Sequence, residues 1–132
     1  MAKPSEPRRR LAVVEDDDDL RLLMVLWLSP FHDCAGFSSG EALLSSIGHL
    51  KPELLILDGD LPGASGFEVA AAVRADTKLT PPRIVFLTGL PRPRAEQAVR
   101  DCPGATYLTK PVKGKVLQDH VARLLAADRQ AL

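Results

Sequence analysis

Residues 13–20 read VVEDDDDL: two valines, five consecutive carboxylates from Glu15 to Asp19, then Leu20 at the start of another apolar segment. An acid block ordinarily lies on a solvated surface or in a disordered tail. Here both flanks have the composition of core. The block therefore reads as a corner at which a buried strand ends and a helix begins. Glu15 and Asp16 close the strand. Asp17, Asp18 and Asp19 fall in the turn and first helical positions, where carboxylates cap exposed N–H groups and suit the positive end of the helix dipole.

The same alternation continues in both directions. LAVVE (Leu11–Glu15), LLILD (Leu54–Asp58) and IVFLT (Ile84–Thr88) are unbroken apolar runs tipped by a polar residue. Such runs are expected of parallel strands covered on both faces. Weaker strands are expected at Asp33–Phe37 and Thr106–Thr109. Between them Leu20, Leu23, Met24, Trp27 and Leu28 follow the stripe of an amphipathic helix. SSGE (Ser38–Glu41) has the spacing of a capping box and opens a helix carrying Leu43, Leu44 and Ile47. SGFE (Ser65–Glu68) repeats the device before Val69 and Val73. A last helix carries Val116, Leu117, Val121, Leu124 and Leu125. Strand then helix, five times over, predicts a doubly wound parallel sheet with helices on both faces.

One segment breaks the rhythm. In GLPRPRAEQAVRDCPG (Gly89–Gly104) two prolines, Pro91 and Pro93, cannot donate helix hydrogen bonds, so the fourth helix is expected to start at about Arg94. Pro103 and Gly104 should close it within two or three turns.

Composition bounds the rest. The 132 residues suit one domain, 45% are hydrophobic, and 17 basic side chains balance 17 acidic ones. No overall field favours nucleic acid or anionic lipid. The longest uncharged apolar stretch, Leu22 to Phe31, is ten residues, against roughly 20 for a membrane helix. MAKPSEPRRR has no secretory h-region and reads as a flexible basic arm over residues 1–10. Cys34 and Cys102 form no CxxC pair, and His32, His49 and His120 have no metal-ligand spacing. The expectation is a cytoplasmic single-domain protein with neither a membrane nor a nucleic-acid partner.

The polar tips of the strands converge. Glu15 and Asp16 end the first strand, Asp58 the third, Thr88 the fourth and Lys110 the fifth. In an open α/β sheet the ligand crevice lies beyond the carboxyl ends of the strands. Acids, a hydroxyl and an ammonium at one rim suit phosphoryl transfer. A carboxylate such as Asp58 can attack phosphorus and hold an acyl phosphate. Mg²⁺ takes carboxylate oxygens, and the Lys110 ammonium and Thr88 hydroxyl can meet phosphoryl oxygens.

With VVEDD, LLILDGDLPGASG, IVFLTG and YLTKP in this order and spacing, the chain resembles the response-regulator receiver domain of two-component signalling, from about Leu11 to Leu125. The resemblance implies a flavodoxin-like (βα)5 fold with strand order 2-1-3-4-5, a receiver over residues 11–128 and a short tail over 129–132. It implies that Asp58 is the phosphoacceptor. Mg²⁺ (or Mn²⁺) would be bound by Glu15, Asp16, Asp58 and the main-chain carbonyl of Asp60. Thr88 and Lys110 would contact the phosphoryl group, Thr88 and Tyr107 would act as the switch, and Asp60 and Leu90 would tune dephosphorylation. A cis peptide is implied before Pro111. A histidine kinase or phosphotransfer protein would donate the phosphoryl group. An output protein would bind the face of the fourth helix, fifth strand and last helix. The chain ends about seven residues past the last apolar helix positions, so no DNA-binding output domain is expected. A switch of this kind is not a turnover enzyme.

Two features depart from the family pattern. Glu15 stands where the family more often has Asp, and the extra methylene makes Asp16 the closer metal match. Leu90 cannot orient an attacking water by hydrogen bonding. Two other readings share the residues. LLILDGDL also fits the DxD start of haloacid-dehalogenase-type phosphatases, with Asp58 as nucleophile and Asp60 as general acid. That family needs an acidic metal pair after its lysine, whereas only Asp119 and Asp128 follow Lys110, both in the last helix. A scaffold that binds partners without phosphorylation would not need the full acid, threonine and lysine set.

Overall fold

The computed structural model describes residues 8–130. Five strands alternate with five helices: β1 (Arg10–Val14), α1 (Asp18–Leu28), β2 (Asp33–Phe37), α2 (Gly40–Leu50), β3 (Leu54–Asp58), α3 (Gly66–Ala75), β4 (Arg83–Thr88), α4 (Arg92–Arg100), β5 (Thr106–Thr109) and α5 (Gly114–Gln130). All strands are parallel, in the order β2-β1-β3-β4-β5. The doubly wound parallel sheet expected from the alternation is observed, in the flavodoxin-like strand order that the resemblance implied.

Side chains of successive strand residues leave the sheet on opposite faces, and each face carries its own core. Leu11, Val13, Leu54, Ile56, Val85 and Leu87 pack with Met24 and Leu28 of α1 and Leu117, Val121 and Leu125 of α5. Ala12, Val14, Leu55, Leu57, Ile84 and Phe86 pack instead with Leu43 and Ile47 of α2 and Val69 and Val73 of α3. Because both faces of the three central strands are covered, β1 after Arg10, β3, and β4 after Arg83 leave no position for a polar residue until the strand ends. Polar chemistry is thereby confined to the rim.

Several local expectations need correcting. Leu23 was placed in the core stripe of α1, yet it is 45% exposed. It lies about 140° round the helix from Leu28, so the buried row is Met24 and Leu28, with Leu20 and Trp27 packed beside them. Val116 is likewise 48% exposed. The cap of α2 is Ser39, not Ser38: Ser39 accepts from Ala42 N at 3.1 Å. Glu41, expected to complete that box, accepts instead from Ala64 N at 3.0 Å and ties α2 to the loop before α3. The cap of α3 is Ser65, as expected, accepting from Glu68 N at 3.1 Å. Helix α4 starts at Arg92 rather than Arg94, because Pro91 is its N-cap and Pro93 occupies its first turn, where a missing N–H leaves no bond unmade.

The basic arm also needs revision. Residues 1–7 lie outside the described residues, but Arg8, Arg9 and Arg10 are part of the fold. Arg8 donates through Nη2 to the carbonyls of Ser29 (2.7 Å) and His32 (2.6 Å), and through Nε to Asp33 Oδ1 at 2.8 Å. Arg9 Nε donates to Glu53 Oε1 at 2.8 Å, and Arg10, already in β1, donates to the Lys51 carbonyl at 2.9 Å. Helices end with unpaired carbonyls and a partial negative charge. Arg8 meets these groups just past the end of α1, and Arg10 does so at the end of α2. Arg8→Ala is expected to lower stability by about 1 kcal/mol, read as a lower urea midpoint at unchanged slope. An unchanged midpoint would mean that water serves those carbonyls as well.

At the other end, α5 runs through Gln130, past the boundary set at residue 128; residues 131 and 132 lie outside the described residues. Both cysteines are free, and burial pushes the Cys34 thiol up to about 12. None of the described helices is long and apolar enough to cross a membrane.

Candidate functional site

Four strands deliver the site. In register, Val14 of β1 pairs with Leu57 of β3, and Asp58 pairs with Leu87 of β4. Thr88 pairs with Thr109 of β5. Glu15, Asp58, Thr88 and Lys110 thus all emerge at the carboxyl edge of the sheet within one residue of the pairing that ends each strand. Three of them are nearly sealed: Glu15 is 1% exposed, Asp58 2% and Thr88 1%. Burying such groups is costly unless partners are supplied, and each has partners.

Asp58 Oδ1 accepts from Asp60 N at 3.0 Å, while Oδ2 lies 3.1 Å from Lys110 Nζ. The same ammonium lies 3.1 Å from Glu15 Oε1. One cation therefore stands between two buried acids, and the Lys110–Pro111 peptide that carries it is cis, as the resemblance implied. The backbone holds this loop down, since Lys110 N donates to the Thr88 carbonyl at 2.9 Å. Burial works against the Lys110 charge, but Asp58 and Glu15 outweigh it and raise its pKa.

Glu15 is divided between two tasks. Its Oε2 accepts from Asp17 N at 3.1 Å, whereas Oε1 is buried and accepts no well-directed hydrogen bond despite the nearby ammonium. Burial, and next to it the Asp58 carboxylate, push the Glu15 carboxyl up to about 7. The Asp17 N–H and Lys110 pull in the other direction without prevailing. Asp16 is exposed at the mouth. Oxygens of Glu15, Asp16 and Asp58 lie within 4.8 Å of one another. Three carboxylates at that spacing, one with an orphaned buried oxygen, form a donor set that fits a hard divalent cation.

Local structure explains why these residues are held. Asp17 caps α1 by accepting from Leu20 N at 2.9 Å, with Asp18 and Asp19 in the first turn. The acid block thus divides as its flanks implied. Gly66 lets α3 approach the acceptor strand, because a Cβ at this position would fall on the Asp58 carbonyl. Thr88 Oγ1 accepts from Leu90 N at 2.9 Å, so the hydroxyl is engaged with its own loop. Tyr107 lies on β5 opposite Phe86 in the pairing, half-buried. Asp60 is exposed and Leu90 half-buried beyond the strand ends.

Two supporting residues escaped the sequence reading. Arg21 donates from Nη1 to the Glu15 carbonyl at 2.9 Å and from Nη2 to Asp18 Oδ1 at 2.6 Å, fastening α1 to the end of β1. Its three-residue offset from Asp18 was the available signal. Glu41 escaped because its partner, Ala64 N, is 23 residues away and donates from the backbone.

The comparisons with known proteins agree with this geometry. The regulatory protein AfsQ1 of Streptomyces coelicolor is 33% identical over 116 residues, which cover 87% of this chain and 50% of AfsQ1. The DNA-binding response regulator MtrA of Mycolicibacterium smegmatis is 32% identical over 124 residues, covering 93% of this chain and 52% of MtrA. The chain thus spans about half the length of these relatives. The signal receiver domain of a Luxo repressor protein from Vibrio parahaemolyticus superposes with a TM-score of 0.84 at 26% identity, covering 95% of each chain. The model of the response regulator receiver domain matches residues 11–122. With fold, strand order and sequence in accord, this chain belongs to the response regulator receiver domain family.

Proposed function

We propose that the chain is a phosphorylation-dependent signalling switch whose acceptor is Asp58. The observation that carries this reading is the buried Asp58 carboxylate sharing the Lys110 ammonium with Glu15 at the sheet's carboxyl edge. A carboxylate oxygen of Asp58 attacks the phosphorus of a phosphohistidine in a kinase or phosphotransfer partner. The new O–P bond forms as the P–N bond breaks, and the electron pair leaves on the imidazole nitrogen. The product is an acyl phosphate. Lys110 lies beside Oδ2 and offsets charge on the transferred oxygens. The Thr88 hydroxyl turns from Leu90 N toward the same group. Thr88 thereby couples to Tyr107, and the population shifts on the α4-β5-α5 face that binds an output protein.

Glu15, Asp16, Asp58 and the Asp60 carbonyl would hold Mg²⁺ (or Mn²⁺), which when bound supplies charge neutralisation to the phosphoryl oxygens. Of the two N-terminal acids, Asp16 has the freer carboxylate, since it is exposed at the mouth whereas Glu15 is buried with Oε2 bonded to Asp17 N and only Oε1 left for a cation. Asp60 and Leu90 flank the acceptor and set how readily water reaches it. The sequence reading set nucleic acid aside as a partner; that applies to this receiver alone, since relatives such as MtrA are about twice as long.

The test is incubation with Mg²⁺ and acetyl phosphate, followed by intact-mass measurement. The wild type is expected to gain one phosphoryl mass that is lost in mild alkali or hydroxylamine, and Asp58→Asn none. No uptake by the wild type would move the reading to a scaffold that binds without phosphorylation. Continuous release of phosphate from unrelated monoesters would move it to a phosphatase.

A further inference from the structure

The amino edge of the sheet, opposite the acceptor, holds a groove of about 670 Å³. Small-molecule sites occupy roughly 300–1,000 Å³. Helix α2 and the loop between α3 and β4 both line it. Its floor is apolar: Ile47, Pro52 and Pro82 are buried there, and half-buried Leu79 packs against the same core.

Two residues of the groove are poorly suited to their local structure. Gly48 lies inside α2, where glycine is a weaker helix former than alanine. No packing demands it, since a Cβ there would meet nothing within 4 Å. Its missing side chain leaves the groove open. Lys51 ends α2 in the left-handed region, at φ 52° and ψ 58°, a conformation that a Cβ disfavours. Among the described residues it is the one non-glycine with positive φ. Glycine suits such a turn better. A local rule broken without a local gain points to a role elsewhere.

The charges around the floor are unequal. Arg9, Arg10, Lys51 and Lys78 line the groove against two acids, Glu53 and Asp76. Both acids are engaged. Glu53 accepts from Arg9 Nε at 2.8 Å and from Arg10 N at 2.9 Å. Asp76 Oδ1 accepts from Lys78 N at 2.9 Å. Cations beside a helix end ordinarily serve its carbonyls, but here other groups do so. Lys51 N donates to the Ile47 carbonyl at 2.9 Å and Asp76 N to the Val73 carbonyl at 3.3 Å. Arg10 Nε takes the Lys51 carbonyl at 2.9 Å. The exposed Lys51 and Lys78 side chains thus add positive charge above an apolar floor.

We propose that this groove binds a small amphiphilic anion. A ring or short chain lies on Pro52, Leu79 and Pro82, and a carboxylate, sulfonate or phosphate meets Lys51 and Lys78. A bare inorganic anion gains nothing from the apolar floor, and an uncharged ligand leaves the lysines unused. The site is separate from the acceptor rim, and its occupancy does not depend on phosphorylation.

The probe is anilinonaphthalene sulfonate, with its uncharged parent anilinonaphthalene as control. ¹H–¹⁵N spectra of the folded chain, titrated with each, locate binding through the backbone amides. The sulfonate is expected to shift amides of residues 47–53 and 76–80. It should bind roughly three- to tenfold more tightly than the neutral parent at low salt, an advantage that shrinks as salt rises. Gly48→Phe fills the groove and is expected to abolish those shifts. Lys51→Gly keeps the left-handed turn without strain, so it gives an answer even where Gly48→Phe does not fold. It should weaken the sulfonate roughly two- to fivefold and leave the neutral parent unchanged. Shifts confined to the exposed Leu22 and Leu26 of α1, equal affinity for the two probes, or wild-type affinity in a folded Gly48→Phe would each overturn the proposal. So would groove amides that move with protein concentration alone, because a second copy would then be the occupant.

Discussion

Gly66→Ala is expected to destabilise the protein by about 3 kcal/mol or more and to slow phosphoryl uptake together with it. The added Cβ would clash with the Asp58 carbonyl oxygen and press on the carbonyl carbon, with the Gly59 Cα 3.2 Å away. All three are main-chain atoms of the strand end, so no side chain can turn aside to make room. Either α3 lifts from the sheet, exposing Val69 and Val73, or the Asp58–Gly59 turn is displaced. That turn is held by the bond from Gly59 N to the Leu87 carbonyl at 2.8 Å and by the bond from Asp60 N to Asp58 Oδ1. Displacing it takes Asp58 away from Lys110. Gly48 is the control, because a Cβ there would meet nothing within 4 Å. Gly48→Ala, in the interior of α2, should be neutral or stabilising. Urea unfolding and acetyl phosphate uptake measured on both variants decide the matter. Wild-type stability in Gly66→Ala would show that α3 can shift without disturbing the acceptor strand.

What the sequence makes legible follows from what each signal measures. The three central strands could be placed because residues buried on both faces must be apolar without interruption, and the polar residue that ends each run marks the rim; the edge strands β2 and β5, only partly buried, gave a weaker signal. Asp58 and Thr88 were visible for that reason, and Lys110 from its place just after the weaker fifth strand. Helix faces were read less well. Leu23 and Val116 are apolar yet exposed, and hydrophobicity reports which residues are able to be buried, not which face meets the sheet. Contacts made by the backbone were not legible at all. The Ser39 cap displaced Ser38 because two serines are equivalent in sequence and only the entry angle of the chain separates them. Arg8 and Arg10 looked like a solvated arm since their partners are mostly carbonyls, which every residue possesses.

Between about pH 4.5 and pH 7 the metal-free protein is expected to lose stability through Glu15, and Glu15→Gln should remove that loss. The ordinary value of 4.5 is raised to about 7 in the folded chain, chiefly by burial and then by the Asp58 carboxylate. The folded state therefore holds the Glu15 proton more tightly than the unfolded chain does. Its contribution is fully present below pH 4.5, declines as pH rises, and is gone above about 7, by an amount of up to roughly 3 kcal/mol. His120 acts with the opposite sign in part of the same window. Burial and then Arg123 hold its pKa below 6.5, so its contribution grows as the unfolded imidazole loses its proton. The wild-type curve alone therefore mixes two effects, whereas the difference between wild type and Glu15→Gln isolates one. That difference should tilt toward the variant as pH rises, leaving Glu15→Gln the more stable protein at pH 8. Lys110 does not interfere, since its pKa is raised from 10.5 and its titration lies far above the window. Chemical unfolding midpoints at half-unit pH steps, with chelator present, give the answer. Parallel curves for the two proteins would mean that Lys110 already compensates the buried charge, and that Glu15 is ionised throughout.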